Sequence, residues 1–316
     1  MKRLSKKPKS MMVVKEQRAA YIFLIPAFLG LSLITYLPLV AAFGVGLTNL
    51  RTPHLIKGNL QVAPPEFIGL DNYIGIFTNP SIDFLNSIKV TVFYALLAVV
   101  GSVIFSLIIA ILLNRRLPGR GILRSIFYIP YILPAVAVVI TWYFLMLYEN
   151  GFFNYFLVQL GVGKVHFLSK AENVISSLVL IAIWQCGNLI VIFLAGLQNV
   201  PRVYMEAAEV DGANFWQRFW NITIPCMTPI IFFNMLMSLV VSLQVVIPAL
   251  SVTRGGPGKS SMFMSYLMYT IGLRDGNFGV GSAIAFVFFI IAAILAFLLF
   301  STSKGWIFYE GGDDRK

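Results

Sequence analysis

Charged side chains are scarce in this chain of 316 residues: only 12% are Asp, Glu, Lys or Arg, whereas 58% are hydrophobic. A soluble globular protein carries about 25% charged residues. Charge is missing altogether from six windows, at 19–50, 90–114, 125–148, 173–201, 219–253 and 276–303. A bilayer core of about 30 Å needs roughly 20 apolar residues per helix, so each window can hold one span. The sequence therefore predicts an all-α polytopic membrane protein with six transmembrane helices and no sizeable soluble domain.

Residues that build reactive centres are equally rare. The chain has two cysteines, Cys186 and Cys226, which lie far apart, and two histidines, His54 and His166, which lie in predicted loops. This supply does not support a disulfide framework or a zinc knuckle, and it leaves almost no material for a Ser-His-Asp or His-metal site. We therefore expect no catalytic residue and no metal site, and an enzyme of the membrane interface is the least favoured class.

The basic residues follow the positive-inside rule. Residues 1–18 contain seven Lys and Arg against the single acid Glu16, and the loop at 115–124 contains four Arg and no acid. The loops at 51–89, 149–172 and 254–275 mix both signs. We therefore expect the 1–18 segment and the 304–316 tail to be cytoplasmic. The net charge of +11 is explained by this distribution, and nucleic acid is not an expected partner.

The region from 19 to 303 is predicted to be a single six-helix transmembrane domain. Its spans are expected near 20–47, 88–113, 123–147, 174–198, 229–250 and 280–303. Kinks are expected in the first span at Pro26 and Pro38, which a membrane helix tolerates where neighbours satisfy the freed carbonyl groups. The external loop at 51–89 is too short and too polar to form a domain.

The cytoplasmic loop at 199–228 is longer than a connection needs to be, since helix-to-helix links commonly take about 2–8 residues. The first of its two amphipathic pieces, near 202–210, ends at Gly212, which supplies the backbone freedom of a helix stop. The second begins near Asn214, a good N-cap, and its aromatic residues between 215 and 220 share one face. On this pattern alone, an interfacial helix pair resting on lipid headgroups is as good an interpretation as a docking element.

The residues of this loop resemble the EAA loop of the membrane subunits of bacterial ABC importers. The match consists of the run from Glu206 to Ala208, then Gly212, and then the run from Ile222 to Pro225. The wider run 204–213, with Phe219, is similar to the version in the maltose and glycerol-3-phosphate type of carbohydrate permease. One departure is Ile224, where Leu is usual.

Other segments support the same family. The run 67–73 resembles an external segment of the first of the two permeases in such systems, 196–201 resembles the stretch before the EAA loop, and 253–257 resembles a T-x-GGP element after the fifth span. The resemblance implies the type I importer permease fold, in the bacterial cytoplasmic (inner) membrane. It also implies three protein partners, besides membrane lipid: a second permease, an ATPase dimer and an extracytoplasmic sugar-binding protein.

In this family the EAA loop docks as a short coupling helix on a separate ATPase chain. The resemblance therefore implies that the present chain is not an enzyme and binds no cofactor, because ATP and Mg²⁺ belong to the partner ATPase. It also implies a set of coupling residues: Glu206, Ala207, Ala208, Asp211, Gly212, Ala213, Phe219 and Pro225. We further expect the helix dipole to favour the carboxylate of Glu206 in the first turns of its helix.

Polar residues stranded within the spans are candidates for the substrate path. They are Gln185 and Asn188 in the fourth span and Asn234, Ser238, Ser242 and Gln244 in the fifth. Val241 and Val245 are expected on the same face as Ser238 and Ser242. Asn234, Ser238 and Ser242 recur every four residues and so form one helical stripe. Hydrogen bonding between helices is an equally good role for any one of them. The resemblance favours sugar contact for Ser238 and Ser242.

An ATP-independent facilitator or channel for a small polar solute is the main alternative. Ion-driven carriers place charged residues within their spans, where each costs about 2.5–3.5 kcal/mol and is retained for function. The six windows contain none. A facilitator needs none either, so the absence of charge leaves this alternative open.

Overall fold

The chain folds into a set of membrane-length helices. The computed structural model describes residues 11–51, 54–56, 59–61, 64–115, 118–303 and 305–308. Four helices are long and apolar enough to cross a membrane, and two bent helix pairs bring the number of candidate spans to as many as six. The predicted all-helical, polytopic architecture is confirmed. Most of the predicted basic segment and of the tail, at 1–10, 304 and 309–316, lies outside the described residues.

The elements follow one another in a simple order. They are α1 Met11–Leu31, α2 Leu37–Gly46, β1 His54–Ile56, β2 Asn59–Gln61, α3 Asp71–Thr78, α4 Phe84–Asn114, α5 Arg120–Ile132, α6 Ala135–Leu145, α7 Phe152–Gln159, α8 Ala171–Trp184, α9 Gly187–Gln198, α10 Arg202–Val210, α11 Phe215–Arg218, α12 Ile224–Leu243, α13 Met264–Met268 and α14 Phe278–Ser303. The two short strands form an antiparallel hairpin in which Leu55 pairs with Leu60. This hairpin is a small addition to the external loop rather than a domain.

The first span accommodates its second proline through a π-helical turn. This turn, Ser32–Tyr36, joins α1 to α2, and the N–H of Leu37 donates to the carbonyl of Ser32, five residues earlier. Pro38 has no N–H to donate, so one helical hydrogen bond is missing at this position. The wider π-helical turn just before Pro38 accommodates that gap. The span is also unusual in its packing, because none of its apolar window is buried inside the chain. It therefore presents almost its whole surface to lipid or to another subunit.

The third span is not the single helix predicted for 123–147. It is broken between α5 and α6, which meet at an angle of 99°. Pro134 is the physical reason, because a proline disfavours helical backbone in the residue before it. Leu133 has φ −64° and ψ 142°, which is extended backbone. The uninterrupted apolar composition of this segment concealed the break.

The fourth span is also bent, by 49°, between α8 and α9. Gln185 and Cys186 form the break. At the start of α9, Gly187 lies against the backbone of the third span: a methyl group in place of its hydrogen would come within 2.6 Å of the carbonyl oxygen of Phe127. The break of the fourth span is thus packed against the middle of α5.

The fifth span begins earlier and ends earlier than the predicted 229–250. The helix is continuous from Phe215 to Leu243, through a π-helical turn at Phe219–Thr223. The second piece of the 199–228 loop is therefore the first part of this span and not a separate short helix. At the other end, Gln244 terminates the helix.

Helix α4 lies at the centre of the bundle and packs against α8, α9 and α12. Small side chains allow this close packing, since Ala95 and Ala110 of α4 are fully buried beside Phe193 of α9 and Met227 of α12. The sixth span, α14, packs mainly on α2 and on the short helices at 264–274. The bundle therefore has a core of four helices, with the first span on its outside.

The segment 67–73 fixes the Gly46 end of the first span. Asn72 donates from its side-chain amide to the carbonyl oxygens of Gly46 and Thr48, each at 2.8 Å. The Tyr73 hydroxyl donates to the carbonyl oxygen of Phe43 at 3.1 Å. Partial burial raises the pKa of the Tyr73 phenol above its ordinary value. These bonds satisfy carbonyl groups that the helix end leaves without an internal partner.

Candidate coupling loop and substrate path

The first piece of the candidate coupling loop is α10, and it ends in a closed, hydrogen-bonded turn. The N–H of Gly212 donates to the carbonyl oxygen of Glu209 at 3.1 Å, and the N–H of Ala213 donates to that of Ala208 at 2.9 Å. This pair of bonds is the Schellman motif, which satisfies the last carbonyl groups of a helix. Gly212 has φ +76°, which glycine adopts without strain. The prediction that Gly212 ends the first piece is confirmed.

The second piece starts with a reciprocal cap. The N–H of Gln217 donates to the side-chain oxygen of Asn214 at 3.0 Å, and the N–H of Asn214 donates to the side-chain oxygen of Gln217 at 2.8 Å. This capping box satisfies two backbone donors at the start of the helix. The prediction of Asn214 as the N-cap is confirmed. Because α11 runs on into α12, the cap fixes the point where the fifth span begins.

An ion pair between Glu209 and Arg218 joins the two pieces across the turn. Glu209 is on α10 and Arg218 is the last residue of α11. The pair was not predicted from the sequence, because its members are nine residues apart on two helices of unknown relative angle. Together with the Schellman motif and the capping box, it makes the 202–218 block a unit whose turn is internally bonded.

Glu206 lies in the second turn of α10 and not in its first. It is the fifth residue of the helix, which has no acid in its first turn. The influence of the helix dipole fades within that turn, so the predicted dipole stabilisation of Glu206 is wrong. Both Glu206 and Ala207 are exposed. Their side chains are available to another chain.

Phe219 belongs to an aromatic cluster, which consists of Phe215, Trp216, Phe219 and Trp220. Successive ring centroids in the cluster lie 5.1–6.2 Å apart. Trp216 and Trp220 are 64% and 60% exposed, which suits an interfacial anchor as well as a protein contact. The guanidinium group of Arg115 lies 5.6 Å from the centroid of the Phe215 ring, so the turn after α4 touches this cluster.

A cleft of about 390 Å³ separates α10 from the start of α12. One wall contains Ala207, Ala208 and Asp211, and Pro225 stands opposite. Phe308, from the tail after the sixth span, also lines the cleft. Thus four of the predicted coupling residues line one cleft, and Gly212 and Ala213 form the turn beside it.

Gln185 lies in the break of the fourth span and Asn188 in the first turn of α9 after it, and both are half-buried. Next to them, the side-chain amide of Asn234 donates to the carbonyl oxygen of Leu189 at 3.3 Å. Asn234 is completely buried, and it therefore ties the fifth span to the break. For Asn234, hydrogen bonding between helices is the role that the geometry supports.

The remaining predicted path residues do not share one face. Ser238 and Ser242 are each 8% exposed and pack inside the chain, whereas Val241 is 69% exposed. Val245 lies beyond the end of α12. The expectation that both valines share the face of the serines is therefore wrong: Val241 points away from that face and the helix stops before Val245.

A groove of about 750 Å³ runs between α12, the 264–274 helices and α14. Most of its lining is apolar, but the exposed Gln244 and the hydroxyl-bearing Ser265, Tyr269 and Ser282 also line it. A polar side chain at the edge of the membrane faces water or protein more readily than lipid. Gln244, one of the polar residues expected on the substrate path, is thus exposed at the end of α12 and lines this groove.

Among the described residues, no three His, Cys, Asp or Glu side chains approach closely enough to hold a metal ion. Outside the membrane, the ammonium group of Lys259 pairs with the carboxylate of Asp83 at 2.8 Å. The loop that carries Lys259 is thereby attached to the start of α4.

Comparison with known proteins decides the family. Residues 102–306 match the family described as binding-protein-dependent transport system inner membrane component. The chain belongs to this family. Such a permease is a multi-pass inner-membrane subunit of an ABC transporter, it is not an enzyme, and ATP is hydrolysed on a separate chain.

Relatives of this permease match over nearly the whole chain. The probable ABC transporter permease protein YesP of Bacillus subtilis is 34% identical over 97% of both chains. The trehalose/maltose transport system permease protein MalF of Thermococcus litoralis is 30% identical over 90% of the permease and 92% of its own length. A crystal structure of a bacterial alginate ABC transporter, in complex with an alginate pentasaccharide-bound periplasmic protein, contains a chain of the same fold. That chain has a TM-score of 0.75 and 20% identity, and the match covers 94% of the permease and 98% of that chain.

Proposed function

We propose that the permease imports a sugar or oligosaccharide delivered by an extracytoplasmic binding protein, and that the loop at 199–228 couples this transport to a separate ATPase dimer. The substrate class is supported by the trehalose/maltose relative and by a multiple sugar-binding transport system permease protein, MsmF of Streptococcus mutans, which is 29% identical over 76% of the permease. A chain of the alginate transporter has the same fold, and alginate is also a carbohydrate.

The observation that carries the coupling role is the construction of the 202–218 block. Its turn is closed by the Schellman motif, the capping box and the Glu209–Arg218 ion pair. Its outer side exposes Glu206 and Ala207. A block with a fixed turn and exposed side chains is suited to transmit a movement from one protein to another. In this scheme ATP binding closes the ATPase dimer, draws the coupling loops of two permeases together and rocks the spans from inward to outward access.

The proposed assembly pairs this permease, as the first of two, with a second permease. The segment 67–73 supports the assignment as the first, and the largely exposed first span leaves a large apolar surface for lipid or a partner subunit. We place residues 1–18, the coupling loop and the 304–316 tail in the cytoplasm, with 19–303 as the membrane domain. The contact of Phe308 with the coupling-loop cleft supports a common side for the tail and the loop.

For the substrate path we propose the region around the two broken spans. Discontinuous helices commonly form binding sites in transporters because their free backbone groups line a cavity. Gln185 lies in one such break and Asn188 in the first turn after it. Ser238 and Ser242 are buried, so they can contact a substrate only if the packing around them opens during transport. Val241 is exposed and needs no such opening.

Reconstitution of the complete transporter in proteoliposomes tests this proposal. ATP in the compartment that holds the ATPase should drive accumulation of labelled sugar, in the presence of the binding protein. Uptake that only equilibrates and ignores ATP would instead identify a facilitator. Gly212→Val should abolish ATP-driven uptake, because a β-branched residue is strained at positive φ. Gly212→Asn is the matched control, since asparagine tolerates that backbone, and it should retain most of the uptake.

Glu206→Lys tests the docking surface separately. The substitution reverses an exposed charge without touching the turn. We expect less ATPase to co-purify with the tagged permease, while the permease itself remains in the membrane. Normal ATPase stoichiometry and normal uptake in both the Gly212→Val and Glu206→Lys variants would leave the interfacial-helix interpretation as the better account of the loop.

A further inference from the structure

The chain beyond the sixth span folds back onto the fifth. After α14 ends at Ser303, the N–H groups of Trp306 and Ile307 both donate to the carbonyl oxygen of Ser303, at 3.2 and 3.0 Å. This turn brings the N–H of Phe308 to the hydroxyl oxygen of Thr228, at 2.9 Å and 80 residues earlier in the chain. The tail is thus attached to the first part of α12, within the fifth span, by a directed hydrogen bond.

The acceptor of that bond sits at a weak point of α12. Pro229 has no N–H, so the carbonyl group of Pro225, four residues earlier, has no helical donor. The Thr228 hydroxyl donates to this carbonyl oxygen at 2.7 Å. Since its one hydrogen is used there, the buried hydroxyl can only accept from Phe308. One oxygen atom therefore serves both the proline kink and the tail.

Aromatic packing supports the same attachment. The Trp306 ring lies 6.2 Å from the ring of Phe232, and Phe232 in turn lies 4.9 Å from Phe300 of the sixth span. Phe308 then lines the cleft that Pro225 and Ala208 also line. The tail thus reaches the point where the coupling loop passes into the fifth span.

We propose that Thr228 and the tail residues 305–308 form a clasp that makes the sixth span follow the movement of the coupling loop. Thr228 acts as a positioning residue, because it holds the tail against the base of the loop and touches no substrate. A movement of α10 is then transmitted to the fifth span through the continuous helix. The same movement is transmitted to the sixth span through the clasp. This inference rests on the proposed coupling function, and it adds a second connection to it.

The first test removes the acceptor. Thr228→Val keeps the shape of the side chain but not its hydroxyl, and Thr228→Ser is the matched control that keeps the hydroxyl. In the assembled transporter we measure sugar uptake per ATP hydrolysed. Thr228→Val also removes the hydrogen bond to the Pro225 carbonyl, so its effect is compared with that of Phe308→Pro, which removes only the bond between the tail and Thr228. Loss of that one hydrogen bond, of ordinary strength, changes the equilibrium of the tail roughly fivefold. We expect the ratio to fall severalfold in the valine variant and to stay near the parent value in the serine variant.

The second test follows the tail itself. Cys226 lines the same cleft as Phe308, so release of the tail should increase its rate of alkylation by N-ethylmaleimide, measured by mass spectrometry of its peptide. We expect an increase of up to about fivefold for Thr228→Val, by the same equilibrium. Phe308→Pro, which lacks the donor N–H, should reproduce both effects if Thr228→Val fails to assemble. Phe308→Leu retains that N–H and serves as its control.

The outcomes separate the two hypotheses. Parental alkylation in Thr228→Val and Phe308→Pro would show that the tail is not held by this bond and would overturn the clasp. Faster alkylation with an unchanged ratio of uptake to ATP hydrolysis would mean that the tail only covers the cleft and has no role in coupling. That result would also overturn the clasp. A parent transporter without ATP-driven sugar uptake would contradict the proposed function instead, and the alkylation measurement would still report on the tail.

Discussion

Asn72 donates a hydrogen bond of 2.8 Å to the carbonyl oxygen of Gly46, which lies 26 residues earlier in the chain. Its second amide hydrogen reaches Thr48. One side chain therefore caps the Gly46 end of the first span, close to the contact between α2 and α14. Such a cap is valuable at the membrane boundary, where carbonyl groups without partners are costly.

Asn72→Ala should lower the stability of the assembled transporter. Two carbonyl oxygens lose their donor, at a cost of about 1–3 kcal/mol for a partly buried group. The measurement is the midpoint of thermal unfolding of the purified complex. Asn86→Ala is the control, because Asn86 makes one exposed bond of 3.2 Å to Lys259 and its loss should change the midpoint little. Equal midpoints for both variants would contradict the capping role.

Gly279→Ala should disturb the contact between the first and sixth spans. An added methyl group would overlap the carbonyl oxygen of Thr48 and approach the Asn72 amide to 2.9 Å. We expect lower yield of monodisperse complex and a lower unfolding midpoint. Gly75→Ala is the matched control: no atom lies within 4 Å of its added methyl group, and alanine favours helix by about 0.5–1 kcal/mol. If both variants keep the parental yield and unfolding midpoint, the contact between the first and sixth spans is looser than the packing at Gly279 indicates.

Ser242→Leu and Val241→Leu distinguish packing from substrate contact on the fifth span. Ser242 is 8% exposed and Val241 is 69% exposed. Overfilling a packed site costs typically about 1–3 kcal/mol, so Ser242→Leu should lower the unfolding midpoint as well as uptake. Val241→Leu should leave the midpoint unchanged. Loss of uptake in Ser242→Leu at the parent midpoint would instead assign Ser242 to the path.

The orientation of the chain is tested by cysteine labelling in right-side-out membrane vesicles. Val210 is 88% exposed on the coupling loop, and Asn150 is exposed in the loop after the third span. An impermeant maleimide should modify Asn150→Cys at once and Val210→Cys only after permeabilisation, in a background without the native cysteines. The opposite pattern would reverse the topology expected from the charge distribution.

The helices could be predicted from the sequence because apolar composition alone decides which segments enter a membrane. The turn at Gly212 and the cap at Asn214 were also predictable, because each depends on the conformational preference of one residue. By contrast, the break at Pro134 was hidden within an unbroken apolar run, although its proline gave a local signal. Two other prolines, Pro26 and Pro38, leave their span continuous, so the residue type alone does not determine where a helix breaks.

Side-chain orientation was less predictable than helix position. A spacing of four residues places Asn234, Ser238 and Ser242 on one stripe, but it does not say whether that stripe meets another helix or a cavity. The Glu209–Arg218 ion pair and the Thr228–Phe308 bond depend on the relative placement of separate helices. Spacing within one segment carries no information about such contacts.

The turn of the 202–218 block has a consequence for protein engineering. The Schellman motif and the capping box satisfy the backbone groups of its turn from within, so the turn keeps its hydrogen bonds whichever side chains surround it. If the block docks on the ATPase as proposed, its exposed side chains, such as those of Glu206 and Val210, are the ones that a different ATPase would contact. Exchanging the whole block between two permeases should therefore transplant the preference for an ATPase while leaving the membrane domain and its substrate unaltered.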